Sequence, residues 1–211
     1  MNFPVDPQVA GGPINTAGVI TMYTYWLLRD VEGALAKYKD LTIDEGKQLA
    51  IWKLPVSKAD PSAIGCARTW GCLCPSTCPF HTAKKHKEVI MEIFRGRVEE
   101  EDDFPLFPDR DGNVVTEAAM QELVEFLASL TGEPLFHPNG LRRFGRHTWR
   151  STGTVELAAL NLELWKIQLL ARWASPVILH YARLAPLEGL TQQVKELTET
   201  RTLGKLIEEL R

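Results

Sequence analysis

The sequence predicts a mainly helical α+β domain with one small antiparallel sheet in its N-terminal third. Apolar residues recur at helical spacing over most of the chain. By contrast, Asp40–Val56 reads as two short strands around a Glu45-Gly46 turn. The 211 residues, 45% hydrophobic and 24% charged, are enough for one good core of the ordinary globular kind.

In chain order, residues 1–14 are rich in Pro, Gly and Asn and read as a flexible lead. From Thr16 to Lys39, the spacing of Val19, Met22, Tyr23, Trp26 and Leu27 predicts a helix or two, bent or weakened at Gly33. The break Ser57-Lys58-Ala59-Asp60-Pro61 ends the second strand and leaves Lys58 at an exposed tip. A Cys/His-rich insertion, 61–86, follows. His81–Arg95 reads as a helix whose Lys84, Lys85 and Lys87 face solvent or a DNA backbone. Thr116–Leu130 is amphipathic behind a threonine N-cap, with Gly132 suited to the position after the C-cap. Leu157–Leu170, almost wholly apolar on one side, reads as the central core helix pair. Ser175 and Pro176 form a helix start, so Val177–Leu184 is predicted helical and carries Tyr181. The last stretch, 188–211, is a weakly amphipathic tail that packs in cis or serves as an assembly surface.

A net charge of −3 slightly disfavours nucleic acid as a partner. The distribution matters more: acid is concentrated at Val98–Asp103, while Arg142, Arg143, Arg146 and Arg150 cluster around His147. A locally basic cleft attracts phosphate whatever the total charge. No run approaches the ~18–20 apolar residues of a membrane span, and the N-terminus lacks the charge and apolar run of a signal peptide. The expectation is an intracellular protein of nucleus or cytoplasm, not secreted, with no membrane partner. Its cysteines are then thiols or metal ligands rather than a disulfide framework.

All four cysteines and two histidines (Cys66, Cys72, Cys74, Cys78, His81, His86) fall within 21 residues. Cys72, Cys74, Cys78 and His81 supply three thiolates and an imidazole, a tetrahedral zinc set. Such a zinc would be structural and would order a segment with little to bury. The alternative is a group of reduced thiols, or a disulfide. Elsewhere, His147 and Arg150 stand three residues apart, so on a helix they share a face. With Trp173 and Tyr181 they offer a cation for an anion, an imidazole for a proton and a phenol as nucleophile. Arg29 and Glu32 share a face too. Alone they would be a surface ion pair worth a few tenths of a kcal/mol.

Taken together and in order, Arg29 with Glu32, Asp40, Lys58, His147-x-x-Arg150, Trp173 and Tyr181 resemble the catalytic domain of the tyrosine (phage-integrase-like) recombinases. The resemblance covers residues 15–187 and extends to Pro105–Gly112; a eukaryotic mobile element is one source it allows. It implies the recombinase catalytic-core fold, with double-stranded DNA as partner and no cofactor for catalysis. Tyr181 would attack a phosphodiester, giving a 3′-phosphotyrosyl intermediate and a free 5′-hydroxyl. Arg29 and Arg150 would grip the phosphorane, Lys58 would protonate the leaving oxygen, and His147 would assist the tyrosine's proton. Trp173 would donate its indole N–H, and Glu32 would orient Arg29 or His147. The tail would join neighbouring subunits on DNA. The outcome would be site-specific recombination or integration of a mobile element; relaxation of the type IB topoisomerase kind and a DNA-binding relic are the alternatives. Two departures stand out. The Trp173–Tyr181 interval is one residue short, a ~100° rotation on a helix. Arg172 also stands where glycine is common. The amino-terminal domain with which most members clamp DNA is not among these residues.

Overall fold

A computed structural model describes residues 9–54, 66–74, 77–160 and 162–173, with only the backbone of Cys66. The elements run α1 (Thr16–Tyr25), α2 (Asp30–Ala34), a 3-10 turn (Tyr38–Asp40), β1 (Leu41–Asp44), β2 (Leu49–Leu54) and β3 (Cys66–Gly71). Then come α3 (Pro79–Glu100), α4 (Glu117–Leu130), α5 (Thr148–Ala159) and α6 (Leu164–Ala171). The mainly helical α+β class is as expected.

The sheet has the order β1-β2-β3, antiparallel throughout, with Leu41 opposite Trp52 and Trp52 opposite Arg68. Alternation along β2 buries Ala50, Trp52 and Leu54 and exposes Lys53, so one face of the sheet is the core face. On that face Trp52 meets Trp26 and Phe107 edge-on, each at 5.6 Å between centroids. Tyr23 joins Phe107 at 5.1 Å. Such edge-to-face pairs are worth about 0.5–1.5 kcal/mol each beyond their buried area.

Helix α3 starts with Cys78 as N-cap and Pro79 in the first turn, and it kinks at Phe94. It buries Phe80, Ala83, His86 and Ile90 against α1 and the sheet. Leu106 and Phe107, from the Pro105–Gly112 region, and Phe104 just before it are buried in the core; Leu106 N–H bonds to Ala36 O at 2.8 Å. Thr116 caps α4 by accepting from Ala119 N–H at 3.1 Å, and Gly132 takes φ +73° after its end.

Four expectations are corrected. The described part of residues 61–86 is no insertion set apart from the fold: Cys66–Gly71 is the third strand, and residues 79–86 open the long α3. Within residues 1–14, the described part is docked, with Ile14 buried and its N–H on Pro108 O. Leu157–Leu170 is not the central core. The helix breaks after Ala159, and among the described residues the buried Leu157, Ile167 and Ala171 join Leu27 in a small satellite cluster, with Leu162 and Leu170 partly buried against it. The basic face of α3 is largely engaged within the protein: Lys84 pairs with Glu45, and Lys87 donates to the carbonyls of Tyr38 and Leu41. Among the described residues no helix is long and apolar enough to cross a membrane.

Candidate active site and Cys/His cluster

The α1–α2 corner prepares one half of the site. Leu27 adopts a left-handed conformation (φ 51°), turning the chain so that Arg29 caps α2. Gly33 is required here, because a Cβ would come within 1.6 Å of the Tyr23 phenol. Glu32, in the first turn of α2, is therefore pressed into the interior at 1% exposure. Its carboxylate accepts the Arg29 backbone N–H at 3.0 Å and the Arg29 guanidinium at 2.7 Å.

Helix α5 brings the other half. It crosses α1 at Gly153, where a Cβ would stand 2.1 Å from Thr24 O, and only glycine permits that approach. One turn earlier, Arg150 is buried, donating from Nε to Leu27 O and from Nη2 to Glu32 Oε2, both at 2.6 Å. Arg172, after α6, places its Nη2 2.9 Å from the same Glu32 oxygen. Three guanidiniums thus share one buried carboxylate. What looked like an exposed i,i+3 pair is the hub of the site.

Burial works against the Glu32 charge, yet Arg150, Arg172 and the Arg29 N–H hold its pKa below the usual carboxylate value. Burial brings Arg150 down to about 10, where it is still protonated at neutral pH. Burial and the charges of Arg150, Arg29 and Arg146 lower His147, so its ring is neutral at pH 7. His147 and Arg150 do not both lie within one helix. His147 is the N-cap of α5 and exposed, while Arg150 points inward. The capping position separates them into a solvent-side imidazole and a buried cation.

Trp173 lies beneath this group, with the Arg150 guanidinium 5.9 Å from its ring centroid. Asp40 sits in the 3-10 turn before β1 and accepts the Lys37 N–H. Of the wider basic cluster, Arg142 pairs with Glu125 and Arg143 with Glu133. Asp30, buried beside Arg29 and with one carboxylate oxygen unpartnered, is pushed up to about 7 by burial and the Glu117 charge. Lys58 and Tyr181 lie outside the described residues, as does the tail. The residue that sequence reasoning missed is Arg172. Its signal was present as an arginine where glycine is expected.

A second cluster forms where β3 turns into α3. Cys72, Cys74, Cys78 and His81 offer ligand atoms that all lie within 4.8 Å of one another. His81 Nδ1 stands 3.2 Å from Cys74 Sγ, 3.3 Å from Cys78 Sγ and 3.7 Å from Cys72 Sγ. Ligands around zinc, with Zn–S of about 2.3 Å, stand roughly 3.7 Å apart, so the set fits a tetrahedral ion. The N-cap position of Cys78 and the first-turn position of His81 aim both side chains at one point. Leu73 N–H donates to Cys78 Sγ at 3.2 Å. Burial raises the Cys78 pKa, but the backbone N–H groups of His81 and Leu73 outweigh it and bring the thiol to about 6, whereas its hydrogen bond to Cys72, burial and the Cys78 sulfur push Cys74 up to about 11. The three cysteines are unbridged. The cluster can bind a metal.

No family model and no curated protein matches the chain. Solved structures do. The XerH site-specific recombinase, in a post-cleavage complex with palindromic difH substrate, aligns with a TM-score of 0.57 at 18% identity, over 89% of this chain and 45% of that one. A pre-cleavage XerH complex gives 0.55 at 19% identity, over 82% and 44%. The Tn1549 transposon integrase, in complex with transposon right end DNA, gives 0.52 at 14% identity, over 94% and 68%. These names lend no support to a eukaryotic source. The chain spans a little under half the length of the XerH chain. It has the helix-rich fold, with a small three-stranded antiparallel sheet, of site-specific tyrosine recombinases and integrases.

Proposed function

We propose that the chain is the catalytic domain of a tyrosine recombinase that cuts and rejoins double-stranded DNA during site-specific recombination or integration of a mobile element. One observation carries this reading: in a recombinase-like fold, Arg150 reaches across 118 residues of sequence to the buried carboxylate that also holds Arg29. A guanidinium has five N–H donors in a planar fork. The bonds to Glu32 and Leu27 O leave further donors on both arginines to meet a phosphate.

In this reading the Tyr181 oxygen attacks the phosphorus and the bond to the 5′-oxygen breaks. His147, neutral at pH 7, takes the tyrosine's proton, and Lys58 gives a proton to the departing 5′-oxygen. Arg29 and Arg150 stabilise the charge that grows on the phosphorane, and Trp173 supports the tyrosine segment and offers its N–H. Glu32 fixes both guanidiniums in place before DNA arrives. Rejoining is the reverse attack, so the step needs no metal at the phosphate. The Cys72/Cys74/Cys78/His81 cluster holds a structural zinc that pins the β3–α3 turn. The 188–211 tail joins neighbouring subunits on DNA.

The test is a nicked suicide duplex whose short 3′ fragment diffuses away after cleavage. Wild-type protein is expected to accumulate a denaturation-resistant DNA adduct, and Tyr181→Phe to form none. DNA binding without an adduct in the wild type would leave a binding module. No binding at low salt would remove DNA as the partner.

A further inference from the structure

The chemistry so far uses Arg29 and Arg150, yet the pocket holds a third guanidinium. The Arg172 side chain is 9% exposed, and its Nη2 lies 2.9 Å from Glu32 Oε2, the oxygen that Arg150 also takes. Its backbone is unusual. Arg172 N–H bonds to Leu169 O and Trp173 N–H to Gln168 O, the paired bonds of a Schellman helix end. Arg172 occupies the left-handed position of that motif, at φ 57° and ψ 40°, which glycine adopts without strain. A long cation is thus held in a glycine's conformation, with its charge turned inward onto Glu32. Non-glycine residues kept in this region cluster where the side chain has work to do.

The charge balance indicates what that work is. Glu32 alone would cancel one of the two positive charges that Arg29 and Arg150 bring to the pocket. With Arg172, three guanidiniums face one carboxylate, and two net positive charges remain. A pentacoordinate phosphorane carries two negative charges. We propose that Arg172 is a positioning residue that neutralises Glu32 and so frees Arg29 and Arg150 to bind a tetrahedral oxyanion, the DNA phosphate. This rests on the recombinase reading for the identity of the anion's source, while the anion pocket itself can be measured without DNA.

The experiment compares wild type with Arg172→Gly, Arg172→Met and Arg172→Lys. Gly relieves the backbone, Met keeps the stem without charge, and Lys restores the charge. The first readout is the rise in Tm produced by inorganic sulfate over chloride at matched ionic strength. Wild type is expected to show a clear rise, Gly and Met to lose most of it, and Lys to retain half or more. The second readout is the rate of adduct formation on the nicked duplex, expected to fall about ten- to a hundredfold in Gly and Met, and less in Lys. Sulfate stabilisation of Gly and Met equal to wild type would overturn the proposal. So would a wild type indifferent to sulfate, or a Lys variant no better than Met. Absence of any adduct in wild type, with the sulfate pattern intact, would refute the recombinase reading and leave Arg172 in an anion pocket.

Discussion

The two clusters are built in opposite ways. The Cys/His group comes from ten consecutive residues, and a turn plus the first turn of α3 is enough to assemble it. The guanidinium group comes from three helix ends spread over most of the described chain, and Glu32 joins them. A local site depends on a ligand to hold it together. A long-range site depends on the fold, and it is as stable as the core that positions it.

The largest effect should follow from cutting the hub. Glu32→Ala leaves three guanidiniums crowded together without their counter-charge, two of them well buried, and removing one partner of such a group costs about 3–5 kcal/mol. Urea unfolding should show that loss, with the Cys/His end equally affected if the domain unfolds as one unit. A loss under about 1 kcal/mol would mean that the pocket relaxes freely, against its being rigidly prepared.

Metal removal probes the local cluster. With zinc at a hundredfold excess over its dissociation constant, binding adds about 2.7 kcal/mol of stability. Chelation should remove that amount, and Cys78→Ser should abolish the response to zinc. Elemental analysis should find one zinc per chain; a chain purified without metal and insensitive to it would contradict the assignment.

The pH dependence separates the core from the site. His86 is fully buried between Asn15 and Leu106 O, and burial lowers its pKa to about 4. Its contribution is complete above the ordinary value near 6.5 and is lost as pH falls from there toward 4, by up to about 1.4 kcal/mol per unit. His86→Gln should flatten that part of the stability curve. Asp30, raised to about 7, acts in the opposite direction: its contribution is present below its ordinary value near 3.8 and lost as pH rises through 7. Asp30→Asn should therefore stabilise the protein at pH 8. The smallest change is a control outside both clusters, Thr116→Ala, which removes the α4 cap at a cost of about 1 kcal/mol and should alter neither zinc nor sulfate binding.

The same contrast explains what could be read from the sequence. The boundaries of α4 were legible because Thr116 and Gly132 mark them with local chemistry. The Cys/His cluster was legible from spacing. Strand β3 was not, because cysteines and a glycine hid a segment whose pairing with β2 is decided by tertiary structure. The apolar run Leu157–Leu170 misled for the converse reason: periodicity shows that a face is apolar, but not that the core lies there. Arg29, Glu32 and Arg150 were named through the order of residues in a family resemblance, and nothing local showed that they meet. The part played by Arg172 needed the left-handed helix end and the buried carboxylate to be seen together.

On the recombinase reading, folding gathers these cations around one phosphate for the Tyr181 oxygen to attack. That reading is tested most directly by digesting the protein trapped on a nicked duplex and weighing the DNA-bearing peptide. A single modified peptide is expected, with the 3′-phosphate of the cut strand joined to Tyr181. A linkage to another residue, a bond to a 5′-phosphate, or no covalent product with bound DNA would contradict it.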